Sequence, residues 1–337
     1  MWRKRIFPIL IVILLVLTTY LLVAKKQTPV PTATPVPTVV SAPTEPLAAI
    51  AEPTAVPEFP LTVTDGTGRD VEIKAAAQRV ISLSPSNTEI LFAVGAGDAT
   101  VANTDYCDYP EKAATLPKVG GFSADSISIE TIVSLKPDLV LADAGGQTSL
   151  IEVLEKANIP VIALKAGSFD DVYANIEMVG KVTGHKEEAT KLVESMKARV
   201  AAVQEKIKDV AESDRPTVFW EVWDEPLMTA GPNTFISQMI TQGGGVNLFA
   251  DAAEDYPSVS SEEVIKRNPD FIMGPDSMGE KLTTDQLASQ PGWDKVNAVI
   301  NNHIVLLDGN MSSRPGPRIV DMVETIAKAL YPEFFAK

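Results

Sequence analysis

Cysteine is almost absent. Cys107 is alone in 337 residues, which excludes an internal disulfide and any cysteine-based zinc or iron–sulfur site. Histidine is nearly as scarce: the chain has His185 and His303, whereas a receptor for a bare metal ion needs about three His or carboxylate ligands. Positive charge is also in short supply. With 29 Lys and Arg against 44 Asp and Glu, the formal net charge is -15, the wrong sign for a face that neutralises nucleic-acid phosphates. Catalytic signatures are missing as well. There is no GxxxxGK[ST], HExxH or GxSxG, and Gly95-Ala-Gly97-Asp-Ala-Thr100 lacks the third glycine of a dinucleotide fingerprint. His185 falls in a helix–helix turn and His303 at a strand start, neither with a partner at catalytic spacing.

A long apolar run occurs at the N-terminus. Arg3, Lys4 and Arg5 precede Ile6 to Ala24, and Lys25 and Lys26 close the run, a length that suits a bilayer span better than a signal-peptide core. Leu22 stands where a cut after Ala24 would want a small residue, and no cysteine follows to carry a lipid. Residues 1–26 are therefore expected to be an uncleaved membrane anchor, with a cleaved export signal as the alternative. Either way the rest of the chain lies outside the cytoplasmic membrane. Residues 27–58 are rich in Pro, Thr, Val and Ala and cannot bury a core; extended at about 3.1 Å per residue, they form a tether reaching up to roughly 90 Å.

From Phe59 onward the patterns alternate between strand and helix. Leu61 to Asp65 and Arg69 to Ile73 flank Gly66-Thr-Gly68 as a hairpin. Strands are expected at 79–83, 138–142 and 161–164, and helices at 87–94, 129–135, 149–157 and 169–182, with Ser86 and Glu89 as a capping box for the first. The same alternation resumes with strands at 217–222, 270–273 and 304–307 and helices from 234, 262 and 319. Between the two series lies 186–212, where Ala189, Leu192, Val193, Met196, Val200, Val203, Ile207 and Val210 make one apolar stripe at helical spacing. A helix of that length, roughly 40 Å at 1.5 Å per residue, spans more than one compact lobe. Ser128-Ile-Glu130 is followed by Pro137-Asp138 and a strand, and Ser260-Ser-Glu262 by Pro269-Asp270 and a strand at the same interval. This repeat favours two similar α/β lobes, 59–168 and 214–337, joined by a helical bridge over 169–213.

Tyr106, Tyr109, Phe122, Trp220, Trp223, Tyr256 and Arg314 sit in or beside loops that follow predicted strands, where open α/β sheets place their ligands. Trp223 and Glu221 are expected on one face of their strand, with Trp220 on the other. Glu130 and Glu262 read either as first-turn carboxylates favoured by the helix dipole or as one exposed charge per lobe for a symmetric partner. Glu221, Asp224 and Glu225 are the closest thing to an acid–base group.

RVISLSPSNTEILFAVGAGD, TDYCDYP, SIETIVSLKPDLVLA, VSSEEVIKRNPDFIMG and DGNMSSRPGPRIVDMVETIAKALYPE resemble the iron-siderophore and cobalamin class of ABC-transporter substrate-binding proteins. The resemblance implies an α/β fold of two Rossmann-like lobes with central, mostly parallel sheets, bridged by one long backbone helix, the class III periplasmic-binding-protein fold. It also implies a metal chelate held between the lobes and Glu130 and Glu262 docked on the arginines of a dimeric permease that works with ATPase subunits. Within the class the chain is most similar to vitamin B12 binders, and Tyr106, Phe122 and Tyr256 fall at their aromatic positions. Trp223 and Arg314 complete the expected ligand set, Arg314 equally suited to an anionic siderophore or a haem propionate. The reading is a monomeric, non-enzymatic capture protein with no resident cofactor or metal, since the cobalt or iron arrives inside the ligand. A haem receptor of the same class and an extracytoplasmic enzyme using Glu221, Asp224 and Glu225 are the alternatives.

Overall fold

A computed structural model describes residues 58–278 and 282–336; the expected anchor and nearly all of the linker lie outside the described residues. Among the described residues no helix is long and apolar enough to cross a membrane. The expected hairpin is present as Leu61–Thr64 (β1) and Asp70–Ile73 (β2), paired antiparallel with Leu61 opposite Ile73. Its apolar residues alternate inward, as a half-buried ribbon requires.

The first lobe then alternates strand with helix, with two helices between the second and third of its strands: Val80–Ser82 (β3), Pro85–Ala93 (α1), Thr100–Asn103 (β4), Glu111–Ala114 (α2), Ile129–Ser134 (α3), Leu139–Asp143 (β5), Ser149–Lys156 (α4) and Val161–Leu164 (β6). The strands form a parallel sheet in the order β4-β3-β5-β6. Helix α1 corrects one expectation. Its cap is Ser84, whose hydroxyl accepts from Asn87 N at 3.3 Å, and Pro85 occupies the first turn, where its missing N–H costs nothing. Glu89 is thereby released from capping and is buried.

The second lobe contains Thr217–Asp224 (β7), Leu227–Thr229 (β8), Phe235–Gln242 (α7), Val246–Asn247 (β9), Ser261–Arg267 (α8), Phe271–Pro275 (β10), Thr284–Ala288 (α9), Asn297–Ile300 (α10), Ile304–Leu307 (β11), Gly309–Ser313 (α11), Ile319–Leu330 (α12) and Pro332–Phe335 (α13). β9 and β10 flank β7 in parallel, and β11 lies beyond β10. The order β9-β7-β10-β11 therefore reproduces β4-β3-β5-β6, with β8 added antiparallel to β7.

The repeat seen in the sequence has the same physical content in both lobes. Ser128 and Ser260 each cap a helix, and the left-handed residues Lys136 and Asn268 precede the two Pro-Asp pairs. Asp138 accepts from Gln78 N and Arg79 N at 2.8 and 2.9 Å, and Asp270 accepts from Thr217 N at 2.9 Å. Each aspartate thus holds the entry to the first strand of its own sheet.

Two helices, Phe169–Thr183 (α5) and Lys186–Lys206 (α6), join the lobes, with Gly184 between them at φ 78°. The second is shorter than expected: helix ends at Lys206 and not at Glu212, about 31 Å at 1.5 Å per residue. Tertiary packing outweighs the remaining helical pattern here. Ile207 is drawn into the second lobe against Gly244, where a Cβ would lie 2.6 Å from Ile207 Cδ1. At the other end of this helix Ala189 meets Gly180, where a Cβ would lie only 2.3 Å from the Ala189 Cβ. Ala189, Val193, Met196 and Val203 belong to one core that takes in Val172 and Ile176 on one side and Ile240, Ile326 and Leu330 on the other. The stripe thus packs against both lobes. Arg199 adds a second tie, to Asp321 at 2.5 Å and Glu324 at 2.8 Å on the last long helix.

Because no side chain fits at Gly180, Gly180→Leu is expected to cost about 1–3 kcal/mol or more by overpacking. Lys191→Ala, on the exposed face of the bridge helix, should stay within about 0.5 kcal/mol. Urea denaturation of both variants checks the difference.

Candidate ligand cleft and inter-lobe cluster

The aromatic residues expected at the ligand are mostly exposed, and local structure explains why. After β4 the chain turns around Cys107, whose buried Sγ lies 3.2 Å from the hydroxyls of both Thr88 and Thr104. With Cys107 pinned inward, its neighbours face outward: Tyr106 is 59% and Tyr109 47% exposed. Phe122 lies in the next loop, also exposed, and a Cβ on Gly121 would lie 3.8 Å from the Tyr106 ring. Gln147 anchors this loop. Its buried amide donates to Leu83 O and Phe122 O, both at 2.8 Å, while its oxygen accepts from Asp143 N at 2.8 Å. Sequence reasoning missed Gln147, and the nearest signal was a lone polar residue just ahead of a helix start.

In the second lobe Trp220 is 1% exposed and belongs to the core, whereas Trp223 is 57% exposed and donates from Nε1 to Glu225 O at 3.0 Å. The shared face expected for Glu221 and Trp223 does not survive. The pairing with β8 slips between them, leaving Glu221 buried and Trp223 outside. Tyr256 lies in the loop after β9, the counterpart of the β4 loop. It is held by Thr229 N to Pro257 O, Gly231 N to Asp255 O and Val259 N to Leu227 O at 2.8–3.1 Å. Strand β8, which sequence reasoning also missed, is thus what positions Tyr256. Burial pushes the Tyr256 phenol up from its ordinary range, with the Asp255 charge as the second cause. Tyr106, Tyr109, Phe122 and Tyr256 therefore lie in loops that follow strands of the two sheets, and Trp223 lies one residue before the C-terminal end of β7. A cavity of about 460 Å³ lies elsewhere in the second lobe, and one of about 290 Å³ is lined by Glu254, Pro257 and Ser258 beside Tyr256; none of the five aromatics lines either. The matched aromatic loops identify the candidate site better than either cavity does.

Arg314 stands apart from the other expected ligand residues. It is 9% exposed, and its guanidinium is engaged by Glu89 at 3.4 Å, Asp108 at 2.5 Å, Tyr106 O at 3.2 Å and Asn310 at 2.7 Å. Arg318, one turn on, grips both oxygens of Glu89 at 2.8 and 2.6 Å and lies 4.0 Å over the Tyr109 ring. Two arginines of the second lobe thus converge on one buried carboxylate of the first. The hydrogen bond from Arg314 holds the Asp108 carboxyl below its usual range despite partial burial, and Glu89 raises Arg318 in the same way. Such a buried pair contributes little net stability, but removing one partner typically costs about 3–5 kcal/mol. Its signature in the sequence was a single acidic residue inside the apolar helix TEILFAV. Lys118 is likewise occupied, by Asn103 Oδ1 at 2.7 Å and Cys107 O at 3.1 Å.

Glu130 and Glu262 occupy the second position of α3 and α8, one residue past Ile129 and Ser261. Both are exposed, and neither has an ion pair among the described residues, in contrast to Glu263, which meets Arg267 at 2.9 Å. Glu221 and Asp224 lie in the ladder between β7 and β8. Among the described residues no group of three His, Cys, Asp or Glu is arranged to hold a metal ion. His303 stacks on Phe271 at 4.3 Å with Nδ1 3.1 Å from Asp270 O, and His185 packs beside Gly95.

Comparison with known proteins agrees with this architecture. An ABC-transporter substrate-binding lipoprotein of Bacillus subtilis (strain 168) is 35% identical over 282 residues, covering 82% of this chain and 87% of that protein. A vitamin B12-binding protein of Vibrio campbellii is 30% identical over 254 residues, 75% and 89% of the two chains. The crystal structure of the periplasmic vitamin B12-binding protein of Vibrio cholerae superposes with a TM-score of 0.66 at 28% identity, over 77% of this chain and 99% of that one. Residues 80–311, from β3 into α11, match the periplasmic binding proteins, and the chain belongs to that family.

Proposed function

We propose that the protein captures a metal chelate, foremost a corrinoid, between its lobes outside the cytoplasmic membrane and delivers it to the dimeric permease of an ABC importer. The carrying observation is the set of exposed aromatic side chains at the matched C-terminal ends of both sheets. Large flat apolar groups left in water at one edge of a fold suit a large flat ligand. The nearby cations support a ligand bound by shape and not by charge. Arg314, Arg318 and Lys118 are already spent on protein acceptors, so they offer little to the carboxylates of haem or of an anionic siderophore. The B12-binding relatives point the same way. The metal comes within the chelate, and the chain needs neither a resident cofactor nor catalysis of its own. It acts as a monomer, tethered through residues 1–58 and reached by the permease at Glu130 and Glu262.

Of the chain's four tryptophans, Trp220 and Trp293 are buried and Trp223 is exposed. Titration of the full-length protein with cyanocobalamin, a ferric hydroxamate and haem, followed by tryptophan fluorescence, is expected to show quenching by cyanocobalamin. Trp223→Leu should lose most of that quenching and weaken binding about tenfold to a hundredfold, the equivalent of about 1–3 kcal/mol. No response to any of the three ligands would overturn the reading. Separately, Glu130→Ala with Glu262→Ala is expected to leave chelate affinity unchanged while abolishing uptake in cells. Normal uptake by the double variant would exclude the docking role.

A further inference from the structure

Glu89 is a buried carboxylate held from across the lobes. It sits on α1 of the first lobe with 3% exposure, and both of its partners come from the second lobe, 225 and 229 residues away in sequence. Those partners also reach the loop that carries Tyr106 and Tyr109. Arg314 binds Asp108 and the Tyr106 carbonyl, and Arg318 lies over the Tyr109 ring. One carboxylate therefore fixes two arginines, and the two arginines fix two exposed aromatic residues. The loop belongs to the first lobe by sequence, yet it is supported from the second.

We infer that Glu89 is a positioning residue for chelate binding, linking the spacing of the lobes to the placement of the Tyr106–Tyr109 loop. The inference rests on the capture role proposed above and adds a release mechanism to it. With the cluster closed, the lobes are held at one spacing and the aromatic loop is braced. When the lobes are drawn apart, Arg314 and Arg318 leave Asp108, the Tyr106 carbonyl and the Tyr109 ring in the same movement. The ligand then loses its second-lobe contacts and the support of its first-lobe aromatics together. A permease that grips one exposed carboxylate on each lobe can release the chelate by separating the lobes, without competing for each ligand contact. A partner shifts such an equilibrium only by binding one of the two states better, and the docking carboxylates lie one on each lobe, as that requires.

A purely structural ion pair serves as the control. Arg199 ties the bridge helix to Asp321 and Glu324 and touches no aromatic loop. In the full-length protein, Glu89→Gln is expected to raise the dissociation rate of cyanocobalamin at least tenfold, measured by stopped-flow tryptophan fluorescence, since related variants differ mainly in off-rate. Spin labels at the exposed Glu152→Cys and Asp285→Cys positions, one per lobe, should show a broader inter-lobe distance distribution in ligand-free Glu89→Gln than in the parent, with Cys107 buried and unlabelled. Arg199→Gln should lower the melting temperature and change neither readout. If Glu89→Gln does not fold, Arg318→Lys, which keeps the charge but loses the two-point grip, should shift both readouts in the same direction. Dissociation within twofold of the parent together with an unchanged distance distribution would overturn the inference. If the parent binds no cyanocobalamin, the corrinoid reading fails and the distance measurement alone decides the role of Glu89.

Discussion

The grip of Arg314 and Arg318 on the buried Glu89 sets the relation between the two halves of this protein. Each lobe can satisfy its own backbone with its own sheet, and nothing in an α/β layer dictates where a second layer should sit. A buried carboxylate with two guanidinium partners removes that freedom, because parting the pair leaves charges stranded in a poorly solvated place. It also explains why the cations around the candidate cleft are unavailable to a ligand. The acceptors they would seek in a siderophore or a haem are already supplied by Glu89, Asp108 and the Tyr106 carbonyl.

The bridge of two helices complements this lock. A glycine at each critical contact lets a side chain seat directly on bare backbone, Ala189 on Gly180 and Ile207 on Gly244, and one apolar core runs through the helices into both lobes. Hinge motion of large amplitude is disfavoured by such continuity, since interiors at crystal-like density do not deform gradually. The cleft is thus largely formed before the ligand arrives. The matched strand orders then place the aromatic loops of the β4 and β9 positions at the same edge of each lobe, and Trp223 extends from the end of β7.

Much of this architecture was legible in the residues because it rests on local chemistry. The helices expected at 169 and from 234 and 262 start at Phe169, Phe235 and Ser261, each behind a Ser or Thr cap, and the Ser-x-Glu to Pro-Asp interval marked a true structural repeat. The failures share a cause: each depended on a partner distant in sequence or on tertiary packing. The helix stops at Lys206 because Ile207 is pulled into the second lobe. The slip between β7 and β8 separates Glu221 from Trp223, and no periodicity announces a slip. Glu89 looked like half of a capping box because its real partners lie more than two hundred residues away. Arg314, expected at the ligand, has its guanidinium engaged by Glu89, Asp108 and the Tyr106 carbonyl, partners that no local pattern announces. For the site, the exposure of the aromatics follows from loop position and was legible, whereas the partner of each charge is decided by whichever opposite charge the fold brings near and was not.

The central claim is that a corrinoid fills the space between the lobes. Native mass spectrometry of the full-length protein, purified from its native host and then incubated with excess cyanocobalamin, tests it most directly. One corrinoid bound per chain is the expected result. A haem or ferric siderophore retained in its place, or a chain that stays free of corrinoid, would contradict it.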